Sequence, residues 1–226
     1  MCGRFALSAK TKDIEKLISG LRINEDIKPR YNISPTQKIP LVLNTEEKEL
    51  MFAQWGLIPH WAKDATMSAK MINARAETLT EKPTFRNLIK KKRCAIFADG
   101  FYEWKKVEGK KFKLPYLIRL TGGAPFLFAG LWDSWKAPEG DRIITCTIIT
   151  TTPNSLISQI HDRMPVILNQ YQAEEWLSEN DDSNFMHEML QSYPSNEMNA
   201  FEVTSRVNNP AFDDILCTEP AVSLFN

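Results

Sequence analysis

Along most of this chain, apolar residues alternate with polar ones or gather in short runs bounded by turn formers, a pattern of short strands rather than long helices. Runs at residues 39–43, 50–55, 94–98, 116–120, 126–131, 143–149 and 165–168 are expected to be strands. The Gly122-Gly123 pair reads as a hairpin turn. Helical spacing surfaces early, where Ile14, Leu17, Ile18 and Leu21 follow Thr11 and Gly20 stands near the end. Further helices are expected at 85–91, from Thr152 and Pro153 through Ile160, at 173–177 and at 185–190. Together these elements predict an α+β fold with a largely antiparallel, barrel-like sheet and flanking helices. No internal repeat, low-complexity tract or Gly/Ser-rich linker breaks the pattern, so residues 1–226 read as one domain.

Composition adds little: 43% hydrophobic and 25% charged residues, with 28 basic side chains against 28 acidic, describe an ordinary globular chain and carry no hint of nucleic acid. The distribution of charge says more. Residues 82–119 hold twelve Lys or Arg against Asp99, Glu103 and Glu108, whereas from Gln170 onward eleven acids face only Arg206. A neutral protein can thus present one basic face, although two solvated surfaces explain the same numbers. The four cysteines are widely spaced with no C-x-x-C pair, and Cys94 and Cys146, inside apolar runs, read as core thiols. No apolar stretch has the length of a membrane span and no secretory pattern opens the chain, so a cytoplasmic protein with reduced thiols is expected. The sequence carries neither a P-loop nor a dinucleotide glycine fingerprint, and no nucleotide cofactor is inferred. His187, in Met-His-Glu-Met-Leu, lacks the second histidine of a zinc-protease helix and reads as a surface residue; no metal site is expected.

Candidate chemistry begins at the second residue. A small residue after Met1 normally permits removal of that methionine, which would leave Cys2 as the terminus. An N-terminal cysteine carries an α-amine (pKa about 7.7 to 8) beside a thiol (about 8.5), both partly nucleophilic near neutrality. Such a 1,2-aminothiol condenses with an aldehyde to a Schiff base, which the thiol closes into a five-membered thiazolidine. An internal cysteine has no such route, so position rather than residue type is the signal. By itself that signal is weak, because a cysteine at position two can be accidental.

Its company strengthens it. Met-Cys-Gly-Arg-Phe at the start, RYNISPTQ from Arg30, WGLIP from Trp55, NARAET from Asn73, DGFYEW from Asp99 and HDRMPV from His161 form an ordered series. The series resembles the SOS-response-associated peptidase family, also called abasic-site processing proteins, and the likeness runs from Cys2 to the region of Val207, Asn208 and Asn209. The resemblance implies that Cys2 bonds to the ring-opened sugar aldehyde of an abasic site in single-stranded DNA, with no cofactor, in a monomeric, DNA-associated protein. It implies that Glu103 relays protons during Schiff-base formation, that His161 exchanges a proton with the sugar oxygen, and that Asn73 orients the aldehyde or its hydroxyl. Without it, Glu103 reads as a solvated carboxylate after a strand, His161 as structural and Asn73 as a helix cap. Arg4 and Arg75 match positions that hold DNA phosphates, while Trp61 and Trp104 are candidates for stacking on bases beside the lesion, core packing being nearly as good a reading. Ser34, where alanine is frequent, and His60, after WGLIP, depart from the commonest wording. Two rival readings stay open: an N-terminal-nucleophile peptidase or amidohydrolase, and a noncovalent reader of damaged DNA. The peptidase label also fits self-removal of Met1.

Overall fold

The computed structural model describes residues 2–180, 182, 186 and 188–221. Five strands form its centre: β3 (Lys38–Leu43), β4 (Leu50–Trp55), β6 (Arg93–Ala98), β9 (Phe126–Lys136) and β10 (Arg142–Thr151). They pair in the order β10-β4-β3-β6-β9, and β9 pairs again with β10, which closes the sheet into a barrel. Every contact in the ring is antiparallel except β10 with β4. Closure explains the apolar runs: β6 is buried at all six positions, because one side faces the barrel interior and the other is covered. Gly130 on β9 marks close packing inside the barrel, since a Cβ there would lie 2.8 Å from both Cys94 Sγ and Ile96 Cδ1.

A second, open sheet has the order β13 (Met198–Glu202), β8 (Lys113–Leu120), β7 (Gly100–Lys106), β1 (Phe5–Leu7) and β2 (Arg30–Ile33). Aromatic side chains join it to the barrel: Phe5 of β1 meets Trp55 edge-on at 5.2 Å and Phe128 at 5.8 Å, and Phe101 of β7 meets the same Phe128 at 6.1 Å. Such pairs add about 0.5–1.5 kcal/mol each beyond the area they bury. These contacts pack the N-terminal strand β1, within the open sheet, against the barrel. Two short strands, β11 (Met164–Pro165) and β12 (Ile167–Leu168), extend the barrel sheet at its margins, and β5 (Asn73–Arg75) runs parallel to β10.

The α+β class and the barrel agree with the sequence reading, as does each expected strand, the last divided at Val166 into β11 and β12. Several expectations are corrected. Gly122 and Gly123 do turn the chain, both with positive φ, but β8 and β9 do not pair; the turn carries the chain from the open sheet to the barrel, so it is not a hairpin. The helix expected from Thr11 shrinks to α1 (Thr11–Ile14) and one 3-10 turn, and the one at 85–91 to α2 (Leu88–Lys91). From Thr152 to Ile160 the helical residues are only 157–159, a single 3-10 turn in which Ile157 N donates to Asn154 Oδ1 at 2.9 Å. The helix at 173–177 begins earlier, as α3 (Gln170–Trp176), behind a capping box of Asn169 and Gln172. Phe185 and His187 of the last expected helix lie outside the described residues; Met186, Glu188 and Met189 are helical. Among the described residues no helix is long and apolar enough to cross a membrane.

The basic run is also redistributed by folding. Arg93 is fully buried, its guanidinium donating to the carbonyls of Ile89 and Lys90 at the end of α2 and of Trp176 and Ser178 at the end of α3. It donates to carbonyls at two helix ends, which accept hydrogen bonds but lack intrahelical donors, rather than to a ligand. Cys94 and Cys146 lie in the core, as expected.

Candidate active site

The β1–β7 ladder sets the site. Phe5 pairs with Phe101, and Tyr102 N donates to Arg4 O at 2.9 Å, so the chain continues antiparallel past β1 and brings Cys2 alongside Glu103 and Trp104. From the barrel side, β5 presents Asn73, whose Nδ2 donates to Cys2 O at 2.8 Å. His161 follows the 157–159 turn, its N donating to Ile157 O at 2.8 Å, and points Nε2 to within 3.7 Å of Glu103 Oε2. Cys2, Asn73, Glu103 and His161, dispersed over 160 positions of sequence, thus share one place. Asn73, which reads as a helix cap only when the family resemblance is set aside, opens a strand.

Burial dominates the electrostatics. Cys2 is fully buried, which pushes its thiol pKa up so that it stays protonated near neutrality. Glu103, at 2% exposure, is raised to about 7 by the same loss of solvent. A carboxyl in that range holds and releases protons equally well at neutral pH. Burial lowers the His161 pKa, favouring a neutral ring whose Nδ1 accepts from Arg163 N at 3.1 Å, which leaves the proton on Nε2, facing Glu103. Asp162 Oδ1 also lies 2.8 Å from Nδ1, with its side chain 87% exposed. Among the described residues, Asn73 Oδ1 is buried without a hydrogen-bond partner, an acceptor held ready at a cost of about 1–3 kcal/mol.

The four remaining candidates divide. Arg75 ends β5 and is exposed, beside Asn73. Arg4 is half-buried, with Nη1 donating to Asn32 Oδ1 and Val207 O, both at 2.7 Å, and its guanidinium 5.9 Å above the Trp104 ring. That nitrogen is therefore committed to the protein. Trp104 is only partly buried, held by Nε1 to Asn208 Oδ1 at 2.7 Å, and it lines an open groove of about 520 Å³ with Lys106, Lys113, Gln159, His161 and Asp162. Trp61, 58% exposed, stands on the loop after β4 outside that groove's lining; the loop is pinned by Asp133, which accepts from His60 N at 2.8 Å.

Sequence reasoning missed the residues that hold the constellation. Arg163 clamps Glu77 with two bonds of 2.6 and 2.9 Å and donates to Thr150 O at 2.6 Å, tying the histidine loop to β10 and to the segment after Asn73. The buried Asn32 donates to the carbonyls of Val207, Asn209 and Phe212, and Asp213 accepts from Tyr31 N and Asn32 N. Those contacts fasten the 205–213 segment, and with it Asn208, under Trp104. Arg163 and Asn32 sit in HDRMPV and RYNISPTQ, but nothing local separates them from surface residues. Ser34 is buried beside Gln37, and His60 contacts Asp133, so neither departure from the common wording touches the four central side chains.

Residues 1–210 match the family described as SOS response associated peptidase. Among curated proteins, the chain is 46% identical to the abasic site processing protein YoqW of Bacillus subtilis over 217 residues, covering 93% of this chain and 95% of that one. It is 32% identical to the abasic site processing protein HMCES of Xenopus tropicalis, covering 78% of this chain and 66% of that one. A crystal structure of a protein from Bacteroides thetaiotaomicron superposes with a TM-score of 0.88 at 30% identity, covering 98% of this chain and all of that one, at 100%.

Proposed function

The chain belongs to the SOS response associated peptidase family, and on that premise we propose that it captures abasic sites in single-stranded DNA as a covalent adduct of Cys2. The observation that carries this reading is the convergence of Asn73, Glu103 and His161 on a cysteine one residue from the chain start. The relatives' name supports the substrate, since two of them, from a bacterium and a vertebrate, are both called abasic site processing proteins.

With Met1 removed, the free amine of Cys2 adds to C1′ of the open-chain sugar, and the carbinolamine loses water to give an imine. Glu103 takes a proton from the attacking nitrogen and returns one to the departing hydroxyl, a shuttle suited to a pKa of about 7. The thiol then adds to the imine carbon, its proton passing to the nitrogen, and the thiazolidine ring closes; aldehyde and aminothiol yield the ring and one water. Because the buried thiol resists ionisation, it needs the neighbouring carboxylate as base. The abasic sugar exists mainly as a cyclic hemiacetal; as it opens, His161 in its protonated form gives the Nε2 proton to the ring oxygen while the anomeric hydroxyl gives its proton to the Glu103 carboxylate. Asn73 Oδ1 accepts from a sugar hydroxyl, Arg75 takes a phosphate, and Trp104 offers a stacking face. Arg4, already bonded to Asn32 and Val207, contributes its remaining donors to DNA or acts by holding Trp104.

Intact-mass measurement after incubation with an abasic oligonucleotide tests the reading. A protein beginning at Cys2 gains the oligonucleotide's mass less one water, and Cys2→Ala forms no heat-stable adduct. A stable adduct on Cys2→Ala, or full activity with Met1 retained, sinks it. Sustained peptide cleavage without DNA would favour the amidohydrolase instead.

A further inference from the structure

The β7–β8 hairpin carries a charge arrangement that folding alone does not favour. Lys106 and Lys113 are direct cross-strand partners, so two ammonium groups stand opposite each other on one face, a placement that destabilises an isolated strand pair. Between positions 105 and 113 five lysines accompany a single acid, Glu108. None of the five makes an ion pair among the described residues, where the ion pairs of Lys and Arg involve Lys16, Arg22, Arg30, Lys48, Lys92 and Arg163. Lys106 and Lys113 also line the groove that contains Trp104 and His161, and a second depression continues from them to the hairpin tip. At that tip Phe112 is 55% exposed, with Lys110 Nζ 5.1 Å from its ring centroid, an aromatic face left open beside a cation.

Resting on the DNA reading above, we propose that this hairpin is the track for one flank of the bound strand, with a phosphate bridging Lys106 and Lys113 and a base stacking on Phe112. An anion seated between the two ammonium groups converts their repulsion into two attractions, which gives the paired lysines a purpose the fold does not supply. The track is polar, not symmetric about the lesion, because it leaves the groove only along the hairpin. From Trp104 to Lys106 the strand advances about 7 Å at roughly 3.3 Å per residue, so the contact begins about one nucleotide from the abasic sugar.

The test is equilibrium binding of Cys2→Ala protein across a salt series, with one abasic oligonucleotide extended only 5′ of the lesion and another extended only 3′. Adding Lys106→Ala and Lys113→Ala should lower the log-log salt slope by about 0.7, the value for the one bridged phosphate on a single strand. The affinity loss should fall on one of the two oligonucleotides, and Lys106→Arg with Lys113→Arg should restore the slope. Phe112→Ala should weaken the same oligonucleotide by about tenfold, within the range for one stacked base, without changing the slope. An unchanged slope, an equal loss on both probes, or no binding to either overturns the track. Crosslinking by the wild-type protein is scored on the same oligonucleotides: its absence with the salt effect present overturns the Cys2 chemistry and leaves the track standing.

Discussion

Glu103 illustrates how a single side chain trades stability for chemistry. Its folded pKa of about 7 lies above the ordinary 4.5, so the folded protein holds the proton more tightly than the unfolded chain does. Stability from this group is therefore complete below about 4.5, falls as pH rises toward 7, and stays reduced above it, by on the order of 3 kcal/mol. Glu103→Gln, which cannot ionise, should unfold at a higher temperature than wild type at pH 8, and the gap should close at pH 5. Calorimetry at the two values decides; a gap independent of pH would show that Glu103 does not titrate as its burial demands. The same variant should lose the inflection near pH 7 in single-turnover adduct formation. Persistence of that inflection would assign the proton relay to another group. The identity of Glu103 was legible from its motif, but its pKa was not, because burial is a property of neighbours distant in sequence.

At the scale of elements, the site depends on segments that have little structure of their own. His161 sits on a loop between a single 3-10 turn and the two-residue strand β11, and Asn73 on a strand of three residues. What fixes both is the Arg163–Glu77 pair, with Arg163 12% exposed and Glu77 held below its usual carboxylate range by the hydrogen bond from Arg163. Arg163→Met should cost about 1–3 kcal/mol in urea unfolding, since Thr150 O and Glu77 lose their donor. Adduct formation should slow about tenfold or more while affinity for intact single-stranded DNA changes little, because misplacing His161 harms the chemical step first. Equal losses in binding and chemistry would reduce the clamp to a general stabiliser. The strands longest in apolar pattern, β3, β4, β6, β9 and β10, could be read from the chain, whereas β1, β2, β5, β7 and β13 could not. All but β7, which pairs with the neighbouring β8 in a hairpin, are short, and only a partner strand from elsewhere makes them strands.

For the whole molecule, barrel closure is the condition on which the site stands, because Phe5 reaches the barrel aromatics and carries Cys2 with it. Gly130→Ala places a methyl group against Cys94, Ile96 and the carbonyl of Thr147, all within 2.9 Å, and should destabilise the fold by about 1–3 kcal/mol or more. Thiol labelling gives a second readout: Cys94 and Cys146 should resist modification in the native wild type and react early in this variant. Wild-type stability in Gly130→Ala would mean that the barrel is looser than its strand register implies. Sequence alone determined the class of fold, the barrel strands and the two core thiols, because periodicity and residue type are local properties; the candidate site residues came with the family resemblance, since residue type alone read Glu103 as solvated and His161 as structural. Tertiary structure decided the rest. It buried Arg93 inside a run that looked uniformly basic, committed part of Arg4 to Asn32, left Trp61 in solvent and set Lys106 opposite Lys113, since each outcome depends on which distant segment folds alongside.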